Sequence, residues 1–231
     1  MRRNLPIVTL ALIISALIVG CVTNPRSTDQ KVLADAKKIA LVKYREAESW
    51  YFVDIGSLHR SDAWLVNAFT ESSIGDKSFK FTKEINAKLG SPNLEKDFTE
   101  ALARLLEEKG CDVRIVALPR DKSGKPILSG ISPTEFDAVV DIAFKAGFFA
   151  FGPTTDYRRA AQLNLNVYSV SDNRLTFSKA LSPKSIARKG EPRAFQYKDF
   201  DELMANSAAA FGGLREFVVS VTVPLVANTL R

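Results

Sequence analysis

The chain has 231 residues, 46% of them hydrophobic, with 32 basic and 26 acidic side chains and a formal net charge of +6. That excess is modest and forms no clustered basic stripe, which excludes a nucleic-acid binder of the usual kind. Two cysteines and one histidine cannot make up a zinc set, and there is no Walker-type or dinucleotide glycine motif, so no metal and no cofactor is expected.

At the N-terminus Arg2 and Arg3 form a short positive head, Leu5 to Val19 is an almost uninterrupted apolar run, and small Gly20 precedes Cys21. Charge, apolar core and small residue in that order read as a secretory signal. The run is too short for a comfortable bilayer span, which takes about 20 apolar residues, and polar Thr23, Asn24 and Arg26 follow at once. Ile18-Val19-Gly20-Cys21 resembles the bacterial lipobox. The resemblance implies cleavage before Cys21, a diacylglyceryl thioether on its sulfur and acylation of the new amino terminus. Residues 1–20 are then a lipoprotein signal peptide, and residues 21–37 a lipidated N-terminus and tether. Two or more acyl chains hold a protein stably, each buried methylene contributing about 0.8 kcal/mol. Val22, rather than Asp, follows the cysteine, which resembles the outer-membrane address of two-membrane bacteria and implies a periplasm-facing lipoprotein. The competing reading, Cys21 as an ordinary residue of an unprocessed anchor helix, is disfavoured by the length of the run.

Removal of the signal takes away two arginines and no acids, leaving a net charge of +4. Cys111 is then the only thiol. Lying between Gly110 and a strand-like run, it reads as a small buried apolar group rather than a reactive nucleophile.

Val22 to Gln30 is polar and reads as tether. The first strand signal is Lys38 to Val42, and Trp50 to Ile55 continues or neighbours it. From Gly56 to Lys88 the pattern does not separate helix from strand. Ser91 to Gly110 predicts a helix, with Ser91 as cap, Pro92 in the first position, Leu94, Phe98, Leu102, Leu105 and Leu106 at helical spacing, and Gly110 as the left-handed stop. Val113, Ile115 and Val116 follow as a strand. Pro119 to Thr134 reads as a loop, with Ser132 and Glu135 capping one short turn. Ala138 to Phe144 is continuously apolar, as an interior strand is. Leu163 to Val170 and Leu175 to Leu181 form a hairpin about Ser171 to Arg174, after a loop at Gly152 to Thr155. A polar basic loop spans Ser182 to Gln196. Asp199 opens a helical pattern through Phe211, interrupted by Gly212 and Gly213 and resumed to Leu225, with Pro224 expected to kink or end it.

The order strand, helix ending in Leu105-Leu106-Glu107-Glu108-Lys109-Gly110, strand, Phe136-Asp137-Ala138-Val139-Val140-Asp141-Ile142 and hairpin resembles a domain of bacterial envelope lipoproteins. It is similar, over roughly residues 38–181, to the small α/β domain shared by the amino-terminal part of the Tol-system propeller protein, the curli-secretion lipoprotein and the lipoprotein activators of penicillin-binding proteins. Where that family carries a full second helix, this chain has the Pro- and Gly-rich loop at 119–134. The expected fold is a single α/β domain over residues 38–231: a small mixed sheet with packed helices, ending in an antiparallel hairpin and a C-terminal helix. The resemblance implies binding or assembly with envelope proteins or with copies of itself, not an enzyme.

Three sets of residues compete for function. Ser57, His59 and Asp62 lie together and are the one candidate for a lipid-anchored hydrolase, although triads draw their members from separated elements and a surface loop is the plainer reading. Phe144, Phe148, Phe149 and Phe151 crowd one segment, either filling the core or forming an aromatic contact patch, with Phe148, Phe149 and Phe151 as candidate partner contacts. The same segment, rearranged as a membrane strand, would make a secretion-pore subunit, but only the Gln162 to Leu181 hairpin approaches the alternation a pore strand needs. The basic loop bearing Lys184, Arg188, Lys189 and Arg193 is a solvated loop or a contact for anionic head groups, with Arg188 and Lys189 as candidates.

Overall fold

Asp137 shows how the sheet is assembled. Its carboxylate accepts the backbone N–H groups of Lys37 and Lys38, each at 2.8 Å, and so joins the first strand to the start of the longest one. Those two donors hold the carboxyl below the usual carboxylate range. The computed structural model describes residues 33, 35–44, 51–55, 75–150, 154–181 and 192–231. Lys31–Arg231 form one compact unit, to which the following elements belong.

Strands β1 (Lys38–Val42), β2 (Phe52–Ile55), β3 (Asp112–Val116), β4 (Ala138–Ala150), β5 (Arg158–Ser169) and β6 (Arg174–Leu181) form a six-stranded mixed sheet. The path runs β3-β1-β4-β5-β6, parallel from β3 to β4 and antiparallel from β4 to β6. Along its other side β4 pairs in succession with β1 at Val139 and with β2 at Phe148, both parallel. The 13-residue β4 is therefore the interior strand that its apolar run predicts, and it extends six residues past Phe144.

Helices α1 (Asp76–Leu89) and α2 (Leu94–Glu108) connect β2 to β3. α1 falls in the stretch whose pattern did not separate helix from strand. Gly90 ends it at φ 71°, with its N–H on the Asn86 carbonyl, and Ser91 stays left-handed at φ 56°. Ser91 therefore belongs to the connection, and the cap of α2 is Asn93, whose side chain accepts Lys96 N–H at 3.0 Å. Caps of this kind contribute about 1 kcal/mol. Gly110, at φ 86°, follows α2 in the expected left-handed conformation.

The C-terminal pattern becomes α3 (Phe200–Ala205), α4 (Ser207–Phe217), a π-helical turn (Val218–Thr222) and α5 (Val223–Leu230). Pro224 does not end the helix. Val223 N–H reaches five residues back to the Val218 carbonyl, and the wider turn makes room for a ring that would strike an α-helical backbone. By length and composition Ser207–Leu230 would suffice to cross a membrane, yet half of its most apolar window is buried in the fold, as in a core helix.

Side chains on one face of the sheet, among them Ile39, Leu41, Val140, Phe144, Phe148 and Leu165, meet Phe81, Ile85, Phe98, Leu102, Leu214, Phe217 and Val226 from the helices in the larger core. Phe98 stacks on Phe144 at 4.5 Å, and Phe148 packs edge-on against Phe81 and Tyr197, each at 5.6 Å. Cys111 is buried there, as expected, against the Arg231 guanidinium, which also donates to the carbonyls of Leu33 and Ala36. A smaller core of Ala40, Val42, Val139, Tyr168 and Val170 occupies the opposite face.

Candidate interaction surface

An acid in the middle of an apolar strand needs a partner, because a buried carboxylate is costly unless it is paired and hydrogen-bonded. Asp141, 5% exposed on β4, finds Arg120: two guanidinium nitrogens reach its two oxygens at 2.7 and 3.3 Å. Arg120 also donates to the Gly124 carbonyl at 2.8 Å. That pair pins the Pro- and Gly-rich segment 117–136 across the smaller core, where Leu118, Leu128, Ile131 and Phe136 cover Val42, Val139 and Tyr168. The segment is a strap. Its turn is closed by Asp121, which accepts from Ser123 Oγ at 2.7 Å and from the N–H groups of Ser123 and Lys125, and whose carboxyl is lowered by those bonds, that from Ser123 Oγ foremost. Ser132 opens the expected single turn, its carbonyl accepting the N–H groups of Glu135 and Phe136. Burial, with the Asp141 charge nearby, raises the Tyr168 hydroxyl above its ordinary value.

Beyond the strap the same face changes character. Asn164 and Asn166 on β5 lie half-exposed, and Ser178 Oγ on β6 donates to Asn166 Oδ1 at 2.8 Å. Among the described residues, the helices contribute to the larger core alone, so this part of the sheet keeps a polar face. The edge is open as well. Seven of the eight β6 side chains are exposed or half-exposed, Leu175 reaching 49%, and among the described residues β6 has β5 as its one strand neighbour.

On the helix side, a groove of about 430 Å³ lies between the start of α2 and α4, lined by Pro92, Lys96, Asp97, Phe211 and Arg215. Arg215 closes it with a forked contact to Asp97 at 2.8 and 3.2 Å, and Lys96 lies 3.9 Å from Glu100. Both basic groups are thus matched by acids of the groove itself. Among the described residues no group of three His, Cys, Asp or Glu side chains is placed to hold a metal ion.

The aromatic cluster goes to the core. Phe148 and Phe149 are 0% and 1% exposed, which corrects their candidacy as contact residues: β4 is interior, and both of its faces are covered at this point. Cys21, Ser57, His59, Asp62, Phe151, Lys184, Arg188 and Lys189 lie outside the described residues. The strap and the β6 edge were missed. A charge at position 141 within Val139-Val140-Asp141-Ile142 was the signal for the first, and only the order of strands reveals the second.

No family model matches the chain, and no curated protein does. Among solved structures it is similar to a Xanthomonas campestris protein of the DUF330 family, at 20% identity and a TM-score of 0.32, covering 59% of this chain and 60% of that one. A homolog of neuraminyllactose-binding hemagglutinin from Helicobacter pylori is similar at 12% identity and a TM-score of 0.35, over 84% of this chain and 83% of that one. A Chlamydia trachomatis protein follows at 12% identity and a TM-score of 0.23, over 80% and 99%.

Proposed function

We propose that this protein is a lipoprotein of the bacterial envelope, held through lipid on Cys21 at the periplasmic side of the outer membrane, and that it works by binding other envelope proteins rather than by catalysis. The observation that supports a contact role is the one-sided architecture. Helices fill one face of the sheet, a strap covers part of the other, and beside the strap the half-exposed Asn164 and Asn166 and the β6 edge present polar side chains and strand backbone. Protein contacts are made by such surfaces without any catalytic group. The lipobox resemblance at Ile18 to Cys21 supports the place of work.

Mild crosslinking in native membranes, followed by purification and mass spectrometry, tests the reading. The expected result is a specific adduct with an envelope protein, recovered equally from the unaltered chain and from a His59→Ala variant. Loss of cellular function in a stably folded His59→Ala protein, with no adduct in either chain, would return the hydrolase reading to first place.

A further inference from the structure

We infer that β6 is an acceptor edge for strand addition, and that its occupant is an extended segment of another protein carrying an acidic side chain opposite Lys179. This rests on the binding reading above and specifies its surface. An edge strand presents a row of outward N–H and C=O groups whose natural complement is another extended backbone. The pairing with β5 slips at Thr176, so the regular part of that row runs from Phe177 to Leu181, five residues at about 3.3 Å each or roughly 16 Å, a length typical of strands in sheets.

The side chains decide what kind of strand fits. Lys179 pairs with Leu165 of β5, so it stands on the helix-side face of the sheet, between Phe177 and Leu181. A lysine on that face of an edge strand opposes pairing with a second copy. A twofold antiparallel pairing centred on Ser178 or Lys179 sets the two ammonium groups on one face, diagonal or directly opposite, where like charges repel. The other basic residue of the strand, Arg174, lies 3.4 Å from Asp172 in the adjacent turn and is already matched. An acid in the incoming strand removes the one electrostatic obstacle at Lys179. On the outer face Ser178 and Ala180 are small and call for short polar or β-branched neighbours.

The test uses the full lipidated chain in detergent and three labelled ten-residue peptides: alternating Val and Thr with a central Glu, the same with a central Lys, and the Glu peptide with alternate backbone nitrogens methylated. The Glu peptide should bind about fivefold more tightly than the Lys peptide, and methylation should abolish binding. Lys179→Glu, at an exposed position, should invert the preference with an unchanged melting curve. Equal affinity for Glu and Lys peptides, indifference to methylation, or no binding at millimolar concentration would overturn the assignment. So would dimerisation of the unaltered chain through β6, which would make a second copy the occupant. In native membranes, photocrosslinks from position 178 support the edge. Crosslinks from position 164 alone would keep the binding module and refute the edge.

Discussion

Gly147→Ala is expected to cost about 3 kcal/mol or more of folding stability, at the top of the range for overpacked interiors. A Cβ built at this position would lie 1.9 Å from the Phe52 carbonyl oxygen and 2.6 Å from the Phe52 nitrogen. Both are backbone atoms of β2, which pairs with β4 at that very residue, so no side-chain rotation relieves the clash. Either β2 leaves the sheet or β4 bends away from β5. β2 also anchors α1, since Ser78 Oγ accepts Val53 N–H at 2.8 Å and Thr82 Oγ1 accepts Tyr51 N–H at 3.1 Å. Loss of the pairing should therefore loosen the helix as well. Urea unfolding of the variant gives the number, and a loss under 1 kcal/mol would show that β2 does not approach β4 in this way.

Phe148→Ala should cost about 3 to 5 kcal/mol, the usual range for deleting a buried aromatic ring. The ring is fully buried between Phe81 and Tyr197. If the chain binds envelope partners as proposed, binding should fall only in proportion to the unfolded fraction, so recovery at a temperature where the variant is folded should match that of the unaltered chain. Thermal unfolding measured beside pull-down separates the cases. An unchanged melting curve with lost binding would return Phe148 to the surface.

The legible parts of this fold are those whose signal is local. Leu94, Phe98 and Leu102 mark α2 by spacing alone, and Gly110 marks its end because its backbone lies where L side chains are strained. The hairpin of β5 and β6 is equally local, with Asn173 at φ 50° in its turn. Other features depend on distant partners. α1 hides its apolar face behind polar neighbours, burying Ser78 and Thr82 along with Phe81 and Ile85, because both hydroxyls bond to backbone, Ser78 at Val53 of β2 and Thr82 at Tyr51 just before it. Pro224 looks like a stop, and only the π turn beside it shows how the helix continues. For the candidate surface, sequence signalled a loop at 119–134 but not that Arg120 would carry it across the sheet to Asp141. Phe148 and Phe149 looked too many for one strand face, and they are, since alternate residues of an interior strand enter opposite faces.

The proposed place of work rests on lipid at Cys21. The most direct measurement is the intact mass and fragmentation of the N-terminal peptide of the protein extracted from native membranes. The mature chain should begin at Cys21, with a diacylglyceryl group on sulfur and an acyl chain on nitrogen, and a Cys21→Ser variant should carry neither. A peptide that still begins at Met1, or a Cys21 thiol without lipid in membrane-bound protein, would contradict it.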